Sequence, residues 1–274
     1  MIELIKEMFS YPFMVRALIV GILVSICASL LGVSLVLKRY SMIGDGLSHV
    51  GFGALALAVA FNMAPLRVAI PVVIIAAFIL LRVTENSKIQ GDAAIALIST
   101  GALAVGVMIL SLTTGMNMDV YNYMFGSILA MSESDVILSI IISVIVLFLY
   151  IFFYEKIFAV TFDENFAKAT GIRTNMYHML LAVLTAVIIV LGMRMMGALL
   201  ISSLIVFPAV TSMRVCNTFR MVVACSVFLS IVSFVIGIIM SYLYAAPTGA
   251  SIVIVDIILF ILFQIYGLIQ KRDV

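Results

Sequence analysis

Charge is what this sequence has least of: only 10% of its 274 residues are Asp, Glu, Lys or Arg, against 65% hydrophobic residues. A water-soluble domain of this size carries roughly 25% charged residues, so most of the surface must face lipid and not water. Tryptophan is absent, and there are two histidines and three cysteines. Cys27, Cys216 and Cys225 are odd in number, lack C-x-x-C spacing and sit in or beside apolar runs, where each reads as a small buried apolar residue. Two histidines leave little for a Ser/His/Asp hydrolase. No G-x-x-x-x-G-K-[ST] phosphate loop occurs, which excludes the usual mode of ATP binding. A net charge of +2, with its basic residues scattered, excludes a nucleic-acid partner. The first fourteen residues mix Glu3, Lys6 and Glu7 with apolar side chains. They lack the form of a signal peptide and read as a short interfacial helix with Ile2, Ile5 and Met8 or Phe9 on one side.

What is present is a series of apolar runs, with a mean hydropathy of +1.34 over the chain. In lipid every backbone group must be paired within the protein, which leaves helices or closed barrels. Barrel strands alternate over about 10 positions, whereas these runs are unbroken over about 18 to 24, which is helix length. The expectation is an all-α polytopic transmembrane bundle of eight or nine spans, a single transmembrane domain over 1–274. Spans are predicted near 15–37, 46–62, 66–82, 92–113, 135–153, 175–193, 197–213, 221–244 and 250–269. The stretch from Met176 to Met213 is interrupted only by Gly192, Arg194 and Gly197, and reads as two short spans or one broken helix. Placing residues 155–175 in the cytoplasm puts every Lys and Arg except Lys6, Arg16, Arg67 and Arg194 on that side, as the positive-inside rule asks. The N-terminus is then external and the C-terminus cytoplasmic.

Two connections are longer than a hairpin needs. Residues 115–135 carry an apolar stretch from Met124 to Met131 and read as a re-entrant helix. Residues 155–175 read as an amphipathic cytoplasmic helix with Phe162, Phe166 and Ala169 on one side, suited to docking a partner.

Among polar intrusions, Asp45 and His49 stand out in SMIGDGLSHVGFGALALA, at the head of the second span. A four-residue separation puts both on one helical face, where a carboxylate oxygen and an imidazole nitrogen can share one divalent cation. The alternative is that Asp45 caps the helix and His49 bonds a carbonyl. Ionisable groups at membrane depth cost at least ~2.5 kcal/mol each, which favours a functional role. Gly44, Gly46, Gly51 and Gly53 would let a second helix or subunit approach closely. Asp92 reads as an N-cap or pathway residue. Asp256, within the last span, reads as ligand, ion-pair partner or packing group. Pro208 breaks a helical bond near Ser202 and Ser203, which are expected to line a cavity.

Six stretches taken together resemble the permease subunits of the ABC-3 family of metal importers. They are LLGVSLVLKRYSMIGDGLSHVGFG, GDAAIALIST, YNYMFGSIL, DENFAKATGI, ALLISSLIVFPAVTS and APTGASIV, in that order along nearly the whole chain. The resemblance implies a type II-like homodimeric permease in the cell membrane, a cytoplasmic pair of ATP-binding subunits and an extracytoplasmic metal-binding protein. It implies no catalytic residues and no permanently bound cofactor, the cargo being Zn2+, Mn2+ or Fe2+. Asp45 and His49 become its metal contacts, and Asp163, Glu164, Phe166, Ala167 and Gly171 become the segment pushed by the ATPase. A siderophore or cobalamin importer is the alternative, since it would need no Asp/His pair. A metal-dependent intramembrane protease would need an H-E-x-x-H motif, which is missing.

Overall fold

A computed structural model describes Met8 and residues 10–86, 91–113 and 133–270. The proposed interfacial helix at the N-terminus and the re-entrant reading of 115–135 fall almost wholly outside the described residues. Among those residues the chain is entirely helical: α1 (Pro12–Leu37), α2 (Met42–Ala60), α3 (Pro65–Asn86), α4 (Gly91–Thr113), α5 (Glu133–Phe152), α6 (Tyr154–Phe162), α7 (Glu164–Ala169), α8 (Thr174–Met196), α9 (Ala198–Ser212), α10 (Phe219–Tyr244) and α11 (Thr248–Gln270). Eight of these are long and apolar enough to cross a membrane, and α9 is a shorter apolar helix. The protein is a multi-pass membrane protein.

Helix α1 is the axis of the bundle. Pro12 starts it without losing a helical hydrogen bond, because the first amides have no partner inside a helix. It packs against α5, α8, α9 and α10, while α2 packs mainly between α3 and α4. Helices α8 and α9 touch both groups and join them. Hydrophobic burial gives little drive between helices in lipid, so close backbone approach and interhelical hydrogen bonds carry association. A methyl group on Gly32 would collide with the Ile205 carbonyl of α9, and one on Gly53 would lie 2.8 Å from the Ala102 carbonyl of α4. The glycines of α2 thus make room for helices of the same chain. Across α1 and α10, the Ser230 hydroxyl donates to the Ser25 carbonyl at 3.0 Å.

The stretch from Met176 to Met213 resolves into two helices, broken at Gly197, whose φ of 87° and ψ of 159° favour glycine. The break is buried. Ile201, just beyond it, lies beside the place where a Gly192 methyl would meet Val24, near the middle of α1. Gly197 therefore turns the chain at membrane depth, covered by protein, where an irregular backbone is tolerated. Pro208 lies inside α9 without ending it.

Arg16 pairs with Glu133 at 2.6 Å and Arg194 with Asp135 at 2.8 Å at one end of the bundle. Lys38, Glu164 and His178 meet at the other. This division matches the expected sidedness, with Arg16 and Arg194 opposite Lys38 and Lys168.

Two sequence expectations need correction. Residues 155–175 do not form one amphipathic helix: the backbone opens at Asp163 (φ −144°, ψ 97°), ending α6 and starting α7. The Asp163 carboxylate accepts a hydrogen bond from the Phe166 amide at 2.9 Å, and this cap favours a new helix over continuing the old one. Of the cysteines only Cys27 is buried, its thiol donating to the Ser143 carbonyl at 3.4 Å. Cys216 and Cys225 are half-buried.

Candidate functional site

Helix α2 begins directly after a tight turn. Arg39 takes φ 62°, and the Tyr40 amide bonds back to the Leu35 carbonyl at 2.8 Å, closing the end of α1. Ser48 donates to the Asp45 carbonyl at 2.7 Å, so it occupies backbone and leaves the Asp45 side chain free to turn outward.

The first turns of α2 are almost completely covered. Between Ile43 and Ala56, only Asp45 and His49 reach accessible surface, all other positions being buried. The side chains are 47% and 24% exposed, and His49 Nε2 lies 3.6 Å from Asp45 Oδ2. Helical geometry puts the two on one face. Packing by α3, α4, α8 and α9 leaves that face open.

The separation has chemical meaning. Two ligand atoms each about 2.1 Å from a dication and set at a tetrahedral angle lie about 3.4 Å apart. The observed 3.6 Å is close to that spacing, so a tetrahedrally coordinated dication fits between the two atoms with little side-chain movement. Two ligands fill half of a tetrahedral shell. Among the described residues no group of three His, Cys, Asp or Glu side chains forms, so a dication at this pair would not sit in a closed cage.

Helix α9 reaches both acidic residues of the membrane interior. The Ser202 hydroxyl donates to the Ala198 carbonyl, 3.1 Å away, and lies near the Asp45 carboxylate. Ser203 faces the other way, donating to the Leu200 carbonyl at 2.8 Å and lying 3.4 Å from Asp256 Oδ2. Asp256 is 3% exposed and also lies near Ser233 of α10. Asp92 falls in the first turn of α4.

The residues around α6 and α7 divide by exposure. Phe166 is exposed, as is Phe162 at the end of α6, whereas Ala167 is fully buried. Gly171 takes φ 83° and the Ile172 amide bonds the Ala167 carbonyl at 3.0 Å, ending α7. Glu164 points inward and sideways. Its carboxylate lies 2.8 Å from Lys168 Nζ and 3.5 Å from both Lys38 Nζ and His178 Nε2. Burial pushes its pKa up, but Lys168, His178 and Lys38 together hold it below its ordinary 4.5.

Lys38 and His178 were not among the residues singled out from the sequence. They stand 126 and 140 positions away from their partners in this cluster. The only local signal was a lysine closing one span and a histidine opening another.

Known proteins resemble the chain over nearly its whole length. The high-affinity zinc uptake system membrane protein ZnuB of Haemophilus influenzae is 31% identical over 252 residues, covering 92% of this chain and 97% of that protein. The manganese transport system membrane protein MntC of Halalkalibacterium halodurans is 29% identical over 256 residues, covering 93% and 88%. Among solved structures, PsaBC from Streptococcus pneumoniae in complex with Fab aligns with a TM-score of 0.87 at 29% identity, covering 98% of this chain and 100% of that one. The family model described as ABC 3 transport family matches residues 10–267, and the chain belongs to that family.

Proposed function

We propose that this protein is the membrane permease subunit of an importer for a divalent transition metal, with Asp45 and His49 as the transient ligands. The observation that carries the reading is the one accessible face of α2, which presents a carboxylate and an imidazole nitrogen 3.6 Å apart. Relatives named for zinc and manganese uptake support it. Imidazole and carboxylate suit zinc, manganese and iron alike, so metal choice rests with delivery and availability. An importer of siderophores or cobalamin would gain nothing from such a pair.

Weak ligation suits transport, because an ion held by a full cage would not leave. Two protein ligands exchange part of the hydration shell, and water, or the same pair on a second copy of the chain, completes it. Chemical energy comes from a cytoplasmic ATP-binding subunit, which docks on the exposed aromatic face at Phe162 and Phe166, with Asp163 and Gly171 setting the ends of α7. An extracytoplasmic binding protein delivers the ion at the end marked by Arg16 and Arg194. No resident cofactor is required.

The test is uptake of radioactive zinc and manganese by cells carrying His49→Ala or Asp45→Asn. Uptake is expected to fall on the order of tenfold or more, while the amount of permease in the membrane stays level. Parental uptake in both variants would remove the pair from the pathway.

A further inference from the structure

The charged cluster at the cytoplasmic end joins three parts of the chain that the fold otherwise keeps separate. Lys38 is the C-cap of α1, Glu164 is the first residue of α7 and His178 lies in the second turn of α8. Lys38 and His178 are withdrawn from solvent, with side chains 11% and 6% exposed, while Glu164 is at 36%. Lys38 Nζ lies 3.5 Å from Glu164 Oε2 and in direct contact with His178 Nε2. Lys168 reaches Glu164 through its other oxygen at 2.8 Å.

We propose that Lys38 and Glu164 form a transmission link: motion of α7 is delivered through this ion pair to the α1–α2 turn, and so to Asp45 and His49. The inference rests on the reading of α7 as the segment that the ATP-binding subunit moves. By its packing α7 touches α6 and α8, and the Glu164 side chain provides its reach to α1. From Lys38 the route is short and stiff. Arg39 is held in the left-handed region and Tyr40 is tied to Leu35, so a pull on Lys38 moves the turn as a unit. Tyr40 and Ile43 then line, with Lys38 and His178, one narrow cavity. That cavity leaves a small space beside the start of α2. A charge-assisted bond at a largely desolvated lysine is stiffer and less screened by salt than a surface pair. Lys38 and Glu164 are positioning residues here, since neither touches the cargo.

The experiment uses the complete importer, permease with ATP-binding subunit and extracytoplasmic binding protein, in proteoliposomes loaded with ATP on the ATP-binding subunit's side. Zinc or manganese uptake and ATP hydrolysis are measured on the same vesicles, and the readout is uptake per ATP, which is independent of protein yield. Lys38→Met and Glu164→Gln are each expected to lower that ratio on the order of tenfold. The double variant should lose no more than either single one, as for two residues that act through each other. Lys38→Arg should recover most of the ratio. A parental ratio in Lys38→Met, losses that multiply in the double variant, or no recovery with Lys38→Arg would each overturn the link. Phe166→Asp separates the underlying reading: release of the ATP-binding subunit upholds α7 as its docking site whatever Lys38 does. Retention of the subunit with hydrolysis and uptake intact sinks that reading, and the link with it.

Discussion

Arg194, in the last turn of α8, holds Asp135, in the first turn of α5, at 2.8 Å, with the two side chains only 21% and 17% exposed. This pair ties the buried turn at Gly197 to the helix that begins the second half of the described bundle. Removing one partner leaves the other charge poorly solvated, which costs about 1–3 kcal/mol. Arg194→Met and Asp135→Asn are each expected to lower the melting temperature of the purified protein, and the double variant to lose less than the sum. Additive losses would mean that the pair is not coupled.

The approach of α1 to α9 makes a second prediction. A methyl group at Gly32 has nowhere to go but into the Ile205 carbonyl, which is backbone and cannot swing aside. Gly32→Ala is expected to destabilise by about 1–3 kcal/mol through overpacking. Gly101, in α4, has nothing within 4 Å of the equivalent position, so Gly101→Ala should be neutral or stabilise by up to about 1 kcal/mol. Thermal unfolding in one detergent measures both.

Most of the helical order was legible because lipid imposes it: an apolar run of helix length between polar breaks has no other way to satisfy its backbone. Gly197 was visible as an interruption, and its role followed only once Ile201 was seen beside Val24. The Asp45 and His49 pair was legible because a helix brings residues four apart together. What was not legible depends on distant contacts or local competition. Lys38 and His178 meet Glu164 only after the ends of α1 and α8 are packed side by side. The break at Asp163 was hidden because Phe162 and Phe166 have helical spacing, and it took the cap to Phe166 to show that the chain restarts there.

Ala245 closes α10 in the left-handed region, with φ 48°. The Ala246 amide completes the turn by bonding the Ser241 carbonyl at 3.2 Å. An L side chain in this conformation costs about 1 kcal/mol, which glycine avoids. Ala245→Gly is therefore expected to stabilise by about 0.5–1 kcal/mol, partly offset by the greater freedom of the unfolded chain. A lower melting temperature would show that the Ala245 methyl group makes a compensating contact.

Glu164 sets a pH dependence at the start of α7. Its folded pKa lies below its ordinary 4.5 because Lys168, His178 and Lys38 outweigh the cost of burial. A depressed acid stabilises the fold above the unfolded value, and that contribution is lost as pH falls below 4.5 through the folded pKa. Hydrogen exchange of the 164–172 amides, corrected for the intrinsic rate, should therefore accelerate below about pH 4.5. The acceleration should vanish in Glu164→Gln, and its persistence there would assign the effect to another carboxylate.

Asp256 presents the sharpest contrast between stability and use. Its two hydroxyl partners do not need it: Ser203 donates to Leu200 at 2.8 Å, and Ser233 donates to Ser230 at 3.2 Å. A carboxyl buried at 3% exposure whose partners have acceptors of their own contributes little to packing. Alanine would remove a desolvated polar group without orphaning another, and it leaves only a small gap. Asp256→Ala is thus expected to leave the melting temperature nearly unchanged. Uptake of zinc or manganese is nevertheless expected to fall, because Ser203 adjoins Ser202, which lies near Asp45, and an ionisable group kept at membrane depth marks function. Asp256→Asn keeps the hydrogen bonds and removes the charge, so it separates polarity from ionisation. If Asp256→Ala transports at the parental rate, Asp256 is a passive feature of the α9–α11 contact and has no part in the pathway.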